Sequence, residues 1–428
     1  MNSPTPRARR RAWIAAVPAA LALVATGCAA DPADDSSDDG GSDAIIIGTT
    51  DKVTHLDPAG SYDNGSLTVQ TQVFPYLVNT APNSTEVVPD LAETAEFTSP
   101  TEYTVTLPED LKFANGHDLT SSDVKFSFDR NVAINDPNGA ASLLYNLDSV
   151  ETPDDLTVVF HLKSENDQVF PFILTSFPGA IVDEESFSAD ALTTDDDIVA
   201  ANAFGGPYTI TDYDFNQLIN FAPNENYQGL IDAPANDEVT FQYFAESSNL
   251  KLAVQNGDVD VAYRSLSASD VADLATDDSL TVHDGPGGEI RYIVFNFDTQ
   301  PYGAKTDDAD ADKALAVRQS VADVIDRQSI ATDVYNDTYT PLYSYVPDGF
   351  VGATQSLKEL YGDGSGGPDV DKATQTLADA GVETPVELSL QYNPDHYGPG
   401  SADEYAQIKD QLDKSGLFSV DLNSTEWT

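Results

Sequence analysis

The sequence predicts an α/β protein that mixes strands and helices in several sheets and more than one domain. Three observations carry that expectation. Tyr103, Val105 and Leu107 alternate with Thr104 and Thr106, the period of a half-buried strand. Ala314, Val317, Val321, Val324 and Ile325 recur at helical spacing instead. Segments of both kinds are interspersed along 428 residues, a length that suggests two or three domains of roughly 100–200 residues each.

Taken in order, the globular part opens with a strand at Ile45-Ile46-Ile47 before Gly48. The Tyr103–Leu107 alternation follows. Thr120 then precedes Ser121-Ser122-Asp123, which predicts a Thr-capped helix with an acid in its first turn. Val158, Phe160 and Leu162 repeat the strand period. Residues 312–328 read as one helix. A second helix runs from Asp371 to Ala380 and stops at Gly381, and a third carries Tyr405, Ile408 and Leu412 and stops at Gly416. The run from Phe418 to Thr428 is strand-like. Gly and Pro cluster at 205–207, 285–288 and 362–368. The first two clusters are expected at crossings between domains, and the third in a surface loop.

Composition narrows function by exclusion. There are 72 Asp and Glu against 20 Lys and Arg, a net charge of −52. Such a polyanion repels phosphates, so nucleic acid is excluded as a partner, and electrostatic docking on anionic lipid is disfavoured. The 40% hydrophobic content, with 19 Tyr and 19 Phe, is enough for a real core. A single Cys excludes a disulfide framework and any Cys-based zinc site. His55, His117, His161, His283 and His396 are scattered, with no pair at i,i+3 or i,i+4, so no local metal face exists. Asp308, Asp310 and Asp312 imitate the start of a calcium loop, but Lys313 and Gln319 stand where its Gly and Glu belong. Gly364-Ser365-Gly366 lacks the spacing of a nucleophile elbow. The residues make no case for an enzyme, and no catalytic residue, metal or cofactor is expected.

Residues 1–27 read as a signal peptide. Arg7, Arg9, Arg10 and Arg11 precede an apolar stretch from Trp13 to Ala25, too short to span a bilayer. Thr26-Gly27-Cys28-Ala29 resembles the lipobox of bacterial lipoproteins, in which the Cys carries lipid after cleavage; an ordinary secretory signal is the alternative. Residues 28–43 then form a lipid-bearing Cys28 and an acidic, Gly/Ser-rich tether.

A longer resemblance bears on function. Pro89-Asp90-Leu91-Ala92-Glu93 leads through Tyr103–Leu107 to Leu111-Lys112-Phe113-Ala114-Asn115-Gly116 and Leu119–Ser127. Leu56-Asp57-Pro58 precedes this block. Gly205-Gly206-Pro207-Tyr208, Gly257–Ala262, Tyr292–Asn296 and Arg318–Arg327 follow it. In this order the segments resemble the peptide/nickel-binding family of extracytoplasmic solute-binding proteins of ABC importers. The resemblance implies a large three-domain, class II periplasmic-binding-protein fold with two lobes and a hinge. On it, lobe I comprises 44–78 and a return segment 204–285, domain II is inserted at 79–203, and lobe III occupies 286–428. Members continue well past residue 428, so lobe III is expected to be incomplete, with its C-terminal part truncated.

The resemblance implies capture of oligo- or dipeptides outside the membrane and delivery to permease subunits driven by a cytoplasmic ATPase, by a monomer when complete. Nickel chelates, haem and oligosaccharides are alternative solutes in the family; a secreted hydrolase is the alternative of another class. Substrate contacts are expected at Tyr62, Asp63 and Asn64, where the backbone would pair with an extended peptide. They are also expected at Tyr263, Gly288, Glu289, Tyr292 and Asn296 along the cleft, with Trp427 as a lid. Tyr292 and Asn296 are expected in a strand, and His396 and Tyr397 in a loop that reaches the cleft.

Overall fold

A computed structural model describes residues 44–426 apart from Ser265, Pro286, Asp395, His396 and Pro399. Cys28, His396 and Trp427 lie outside the described residues.

The apolar run Ile45–Thr49 becomes a central strand of a five-stranded mixed sheet. It pairs in parallel with Val239–Tyr243 on one side and Val261–Ala262 on the other. Leu218–Pro223 and Tyr208–Asp214 extend the sheet antiparallel. Gly48 is small for a reason: a Cβ there would lie 2.5 Å from Leu250 of the helix Ser247–Asn256. That close approach lets the helix cover the sheet, and Leu250 is fully buried.

Between the first strand and its partners lies an antiparallel sheet in the order Thr94–Ser99, Glu102–Thr106, Thr157–Leu162, Leu147–Asp154. Its two inner strands bury alternate residues, Tyr103 and Val105 facing Val158 and Phe160, as their period requires. The helix Ser121–Ile134 packs on it and begins with a full capping box. The Thr120 amide donates to Asp123 at 2.9 Å, and the Ser122 amide donates to the Thr120 hydroxyl at 3.2 Å.

The "LDP" turn joins this unit to the central sheet. Asp57 is fully buried and accepts four hydrogen bonds. Arg130, on the capped helix, donates Nη1 at 2.8 Å and Nη2 at 2.5 Å, and the amides of Ala59 and Thr193 donate at 3.0 and 2.7 Å. Arg130 also donates to the carbonyls of Ser188 and Ala191 and lies over the Phe187 ring. The buried carboxylate is thereby fully satisfied, the condition under which a buried pair is tolerated.

A second polar joint pairs a histidine with a carboxylate. Asp183 accepts from His117 Nδ1 (2.8 Å), Asn115 (2.9 Å), Ser186 (2.6 Å) and the Glu185 amide (2.9 Å). Burial alone would raise its carboxyl, but these hydrogen bonds outweigh burial and hold it below the usual carboxylate range. The hydrogen bond and charge of Asp183 raise the His117 imidazole. A raised folded-state pKa stabilises fully below the unfolded value of roughly 6.5 and loses that contribution as pH rises through the folded value. The Asp183 side fails only in acid. His117→Gln is therefore expected to lower the thermal midpoint at pH 5.5, with the difference from wild type shrinking towards pH 8.5. A difference constant across that range would show that the pair contributes nothing ionic.

The C-terminal third packs the helices Ala311–Val324, Val370–Asp379 and Ser401–Lys414 around a core of Val317, Val321, Leu377, Ile408, Leu412 and Phe418. The last helix connects two parallel strands, Val386–Tyr392 and Phe418–Ser424. Gly381 and Gly416 end their helices at φ +66° and +71°, conformations that favour glycine.

Two expectations need correction here. The helix expected over 312–328 breaks at Ile325, whose ψ of 120° leaves the helical region. Asp326 then caps a new helix, Arg327–Asp333, accepting from the Ser329 amide at 3.0 Å. The Asp326 amide donates to Gln411 at 2.9 Å, so a contact from another helix holds the break. The strand expected at Tyr292–Asn296 does not form: the segment has no regular secondary structure. Ile293 and Phe295 pack on the core while Tyr292 and Val294 face solvent, and no strand among the described residues lies beside it. Side-chain alternation reports a pleated backbone; it does not report whether a neighbour completes the ladder.

Candidate functional site

The Tyr62–Asn64 segment is built around a helix start. Asp63 is extended (φ −142°, ψ 152°) and caps the helix Asn64–Val73, accepting from the Ser66 amide at 2.8 Å and the Thr54 hydroxyl at 2.5 Å. Extended backbone therefore stops at Asp63, and Asn64 is already helical. Gly65 permits the packing of this turn, since a Cβ there would sit 2.1 Å from the Lys52 carbonyl oxygen.

Arg264 arrives from an edge strand of the central sheet. Strand Val261–Ala262 ends, the Tyr263 amide donates to the Gly48 carbonyl at 2.8 Å, and Arg264 takes a left-handed φ of +60°. Its Nε lies 3.2 Å from Asp51 and its Nη2 2.9 Å from Glu289 Oε1. The same Glu289 oxygen accepts from Asn64 Nδ2 at 2.8 Å. Burial alone would lower the Arg264 guanidinium, but the charges of Asp51 and Glu289 outweigh it and raise its pKa. Burial, with the charges of Asp51 and Asp63, raises the Tyr243 hydroxyl beside them.

Two of the expected contact residues, Asn64 and Glu289, are thus brought together, with Asp63 positioning the first. The others stand apart from this cluster. Tyr62 is half-exposed and meets Phe177 edge-on at 4.9 Å. Tyr263 and Tyr292 are exposed, and a Cβ on Gly288 would touch the Phe350 ring at 3.5 Å. Asn296 accepts from the Asp298 and Thr299 amides at 3.0 and 3.2 Å, so its side-chain oxygen is used in closing a turn.

Sequence reasoning missed Arg264 and Arg291. Arg291 donates to Glu404 at 2.6 Å and to the Tyr397 carbonyl, and lies over the stacked rings of Tyr335 and Tyr339. Each arginine adjoins a residue that the motifs had singled out. With so few cations in the sequence, that adjacency was the available signal.

Among the described residues, no group of three or more His, Cys, Asp or Glu side chains could hold a metal ion. No helix there is long and apolar enough to cross a membrane. An open groove of about 600 Å³ is lined by Asn83–Val87, Phe172 and Val351, none of which belongs to the Arg264 cluster.

What this arrangement offers is hydrogen-bonding side chains and exposed aromatics, on an α/β frame. The family described as bacterial extracellular solute-binding proteins, family 5, middle part, matches residues 86–428. The chain belongs to that family. Its members are solute-binding proteins of transporters rather than enzymes. This solute-binding protein is 23% identical over 388 residues to the dipeptide-binding protein of Escherichia coli K12, a match spanning 86% of its own length and 68% of that relative. It is 24% identical over 343 residues to heme-binding protein A of Haemophilus influenzae, spanning 76% and 59%. The ABC transporter substrate-binding protein CtaP of Listeria monocytogenes superposes with a TM-score of 0.71 at 24% identity, over 90% of this protein and 74% of that one. The fold is therefore the α/β periplasmic-binding-protein fold.

Proposed function

We propose that this solute-binding protein captures oligo- or dipeptides outside the membrane and delivers them to the permease subunits of an ABC importer, which a cytoplasmic ATPase drives. The observation that carries the reading is the family match over residues 86–428, supported by likeness to a dipeptide-binding protein across most of the sequence. The solute would lie between a lobe I of 44–78 and 204–285 and a lobe III starting at 286, with domain II at 79–203 held to lobe I by Asp57 and Arg130. The hydrophobic cluster around Leu377 draws only on residues after 286, whereas the cluster around Phe221 also takes in Ala180, Val182, Phe187, Ile198 and Ala203 of the inserted segment.

Ligand that binds only the folded state stabilises it by about 2.7 kcal/mol at a hundredfold excess over Kd. A pool of di- to tetrapeptides at millimolar concentration is therefore expected to raise the thermal midpoint. An unmoved midpoint would overturn the peptide reading. Likeness to a haem-binding relative favours one second reading, haem as the solute. A Soret band that persists through gel filtration after haem addition would establish it. Cleavage of the same peptide pool by pure protein would point instead to a secreted hydrolase.

Anchoring belongs to the same proposal. Residues 1–27 would be removed as a signal peptide and Cys28 lipidated, leaving 16 Lys and Arg against 72 acids, a net charge of −56 on a monomer tethered outside the membrane. Cys28→Ser is expected to release the protein from the membrane fraction or block maturation. Membrane association unchanged by that substitution would exclude the lipid anchor.

A further inference from the structure

We infer that Glu289 fills, from within the protein itself, a subsite built to receive the carboxylate of the bound solute. The location of the solute rests on the peptide-capture reading above; the requirement for a carboxylate rests on the local geometry alone.

Glu289 Oε1 accepts from Asn64 Nδ2 at 2.8 Å and from Arg264 Nη2 at 2.9 Å. An amide and a guanidinium converging on one oxygen form a donor set suited to a carboxylate, and the arginine contact is charge-assisted. The backbone that carries each donor is positioned without help from Glu289. Asn64 starts a ten-residue helix that Asp63 caps and Gly65 seats against Lys52. Arg264 is gripped by Asp51 and projects from a left-handed backbone, a costly conformation for a residue with a Cβ.

The acceptor is held far more loosely. Its side chain is 66% exposed. It follows Gly287 and Gly288, and an added Cβ at Gly287 would meet nothing within 4 Å. Its segment lacks strand pairing among the described residues. Fixed donors around a loosely held acceptor are what an exchangeable partner requires. An incoming carboxylate reproduces both hydrogen bonds while Glu289 swings into water, where a carboxylate is well solvated. Until then Glu289 competes with the solute and lowers its apparent affinity, as any internal occupant must. A purely structural latch would use the same contacts but would not discriminate between solutes.

The test presents a random tripeptide library to the full-length protein in two forms, with a free C-terminal carboxylate and with a C-terminal amide. Capture is read by native mass spectrometry, with citrate and succinate run in parallel by thermal shift. Glu289→Ala is expected to prefer the acids by about tenfold, the value of one charge-assisted hydrogen bond, and the wild type by less, because there the acid takes over bonds that Glu289 gives up. Glu289→Ala is expected to raise affinity for the acids several-fold and so to widen the ratio of acids to amides captured. Arg264→Gln should abolish the preference; if that variant does not fold, Arg264→Lys should weaken it while keeping the charge. Equal capture of acids and amides by wild type and Glu289→Ala would overturn the inference and leave the peptide reading standing. Stabilisation of Glu289→Ala by the simple carboxylates, with no tripeptide captured, would do the reverse. Failure of every probe with Glu289→Ala would overturn both.

Discussion

Replacing Asp57 by alanine is expected to cost about 3–5 kcal/mol of stability, the range for removing one member of a buried ion pair. Arg130 would remain almost fully buried with its charge uncompensated, and the amides of Ala59 and Thr193 would lose their acceptor. Urea unfolding followed by far-UV circular dichroism measures the loss. Arg130→Met should also be costly, and the double variant should cost clearly less than the two losses added, because each single change strands the other partner. A loss below about 1 kcal/mol for Asp57→Ala, the value of an exposed pair, would mean that this joint does not hold the inserted unit to the central sheet. Solute capture is expected to weaken with stability here, since the turn carrying Asp57 leads directly into Tyr62–Asn64.

Phe160→Ala is expected to cost about 3–5 kcal/mol as well, through a cavity rather than a stranded charge. Phe160 is fully buried, and its ring meets Phe128 at 4.9 Å and 76° and Phe170 at 5.5 Å and 61°. Tyr103 continues the array against Phe170 at 5.8 Å. Edge-to-face rings add to area burial, and alanine fills none of the space. Phe160→Leu should recover much of the loss. A cost under about 1.5 kcal/mol for the alanine variant would indicate that these rings collapse into the gap.

The strands and caps were legible because their causes are local. Alternation at Tyr103–Leu107 and Val158–Leu162 became half-buried strands, and Thr120 with Asp123 became a capping box. Where a distant partner decides, the same signals misled. Apolar spacing runs unbroken through 312–328, yet the helix stops at Ile325 because Asp326 can cap a second helix and Gln411 takes its amide. Alternation at Tyr292–Phe295 described one buried face without revealing that no strand among the described residues pairs with it.

By itself, then, the sequence determined the α/β class, the helix start at Thr120, and a large excess of acid. Each follows from the period, cap or charge of neighbouring residues. Only the tertiary structure decided which polar groups meet. Asn64 and Glu289 lie 225 residues apart, and Arg264 reaches the same oxygen from the end of another strand. Among 72 acids, nothing in composition or spacing says which one an arginine will hold. That choice falls to the carboxylate that the sheet and the segment after Gly288 bring within 3 Å of it, because charge-assisted hydrogen bonds form only over that range.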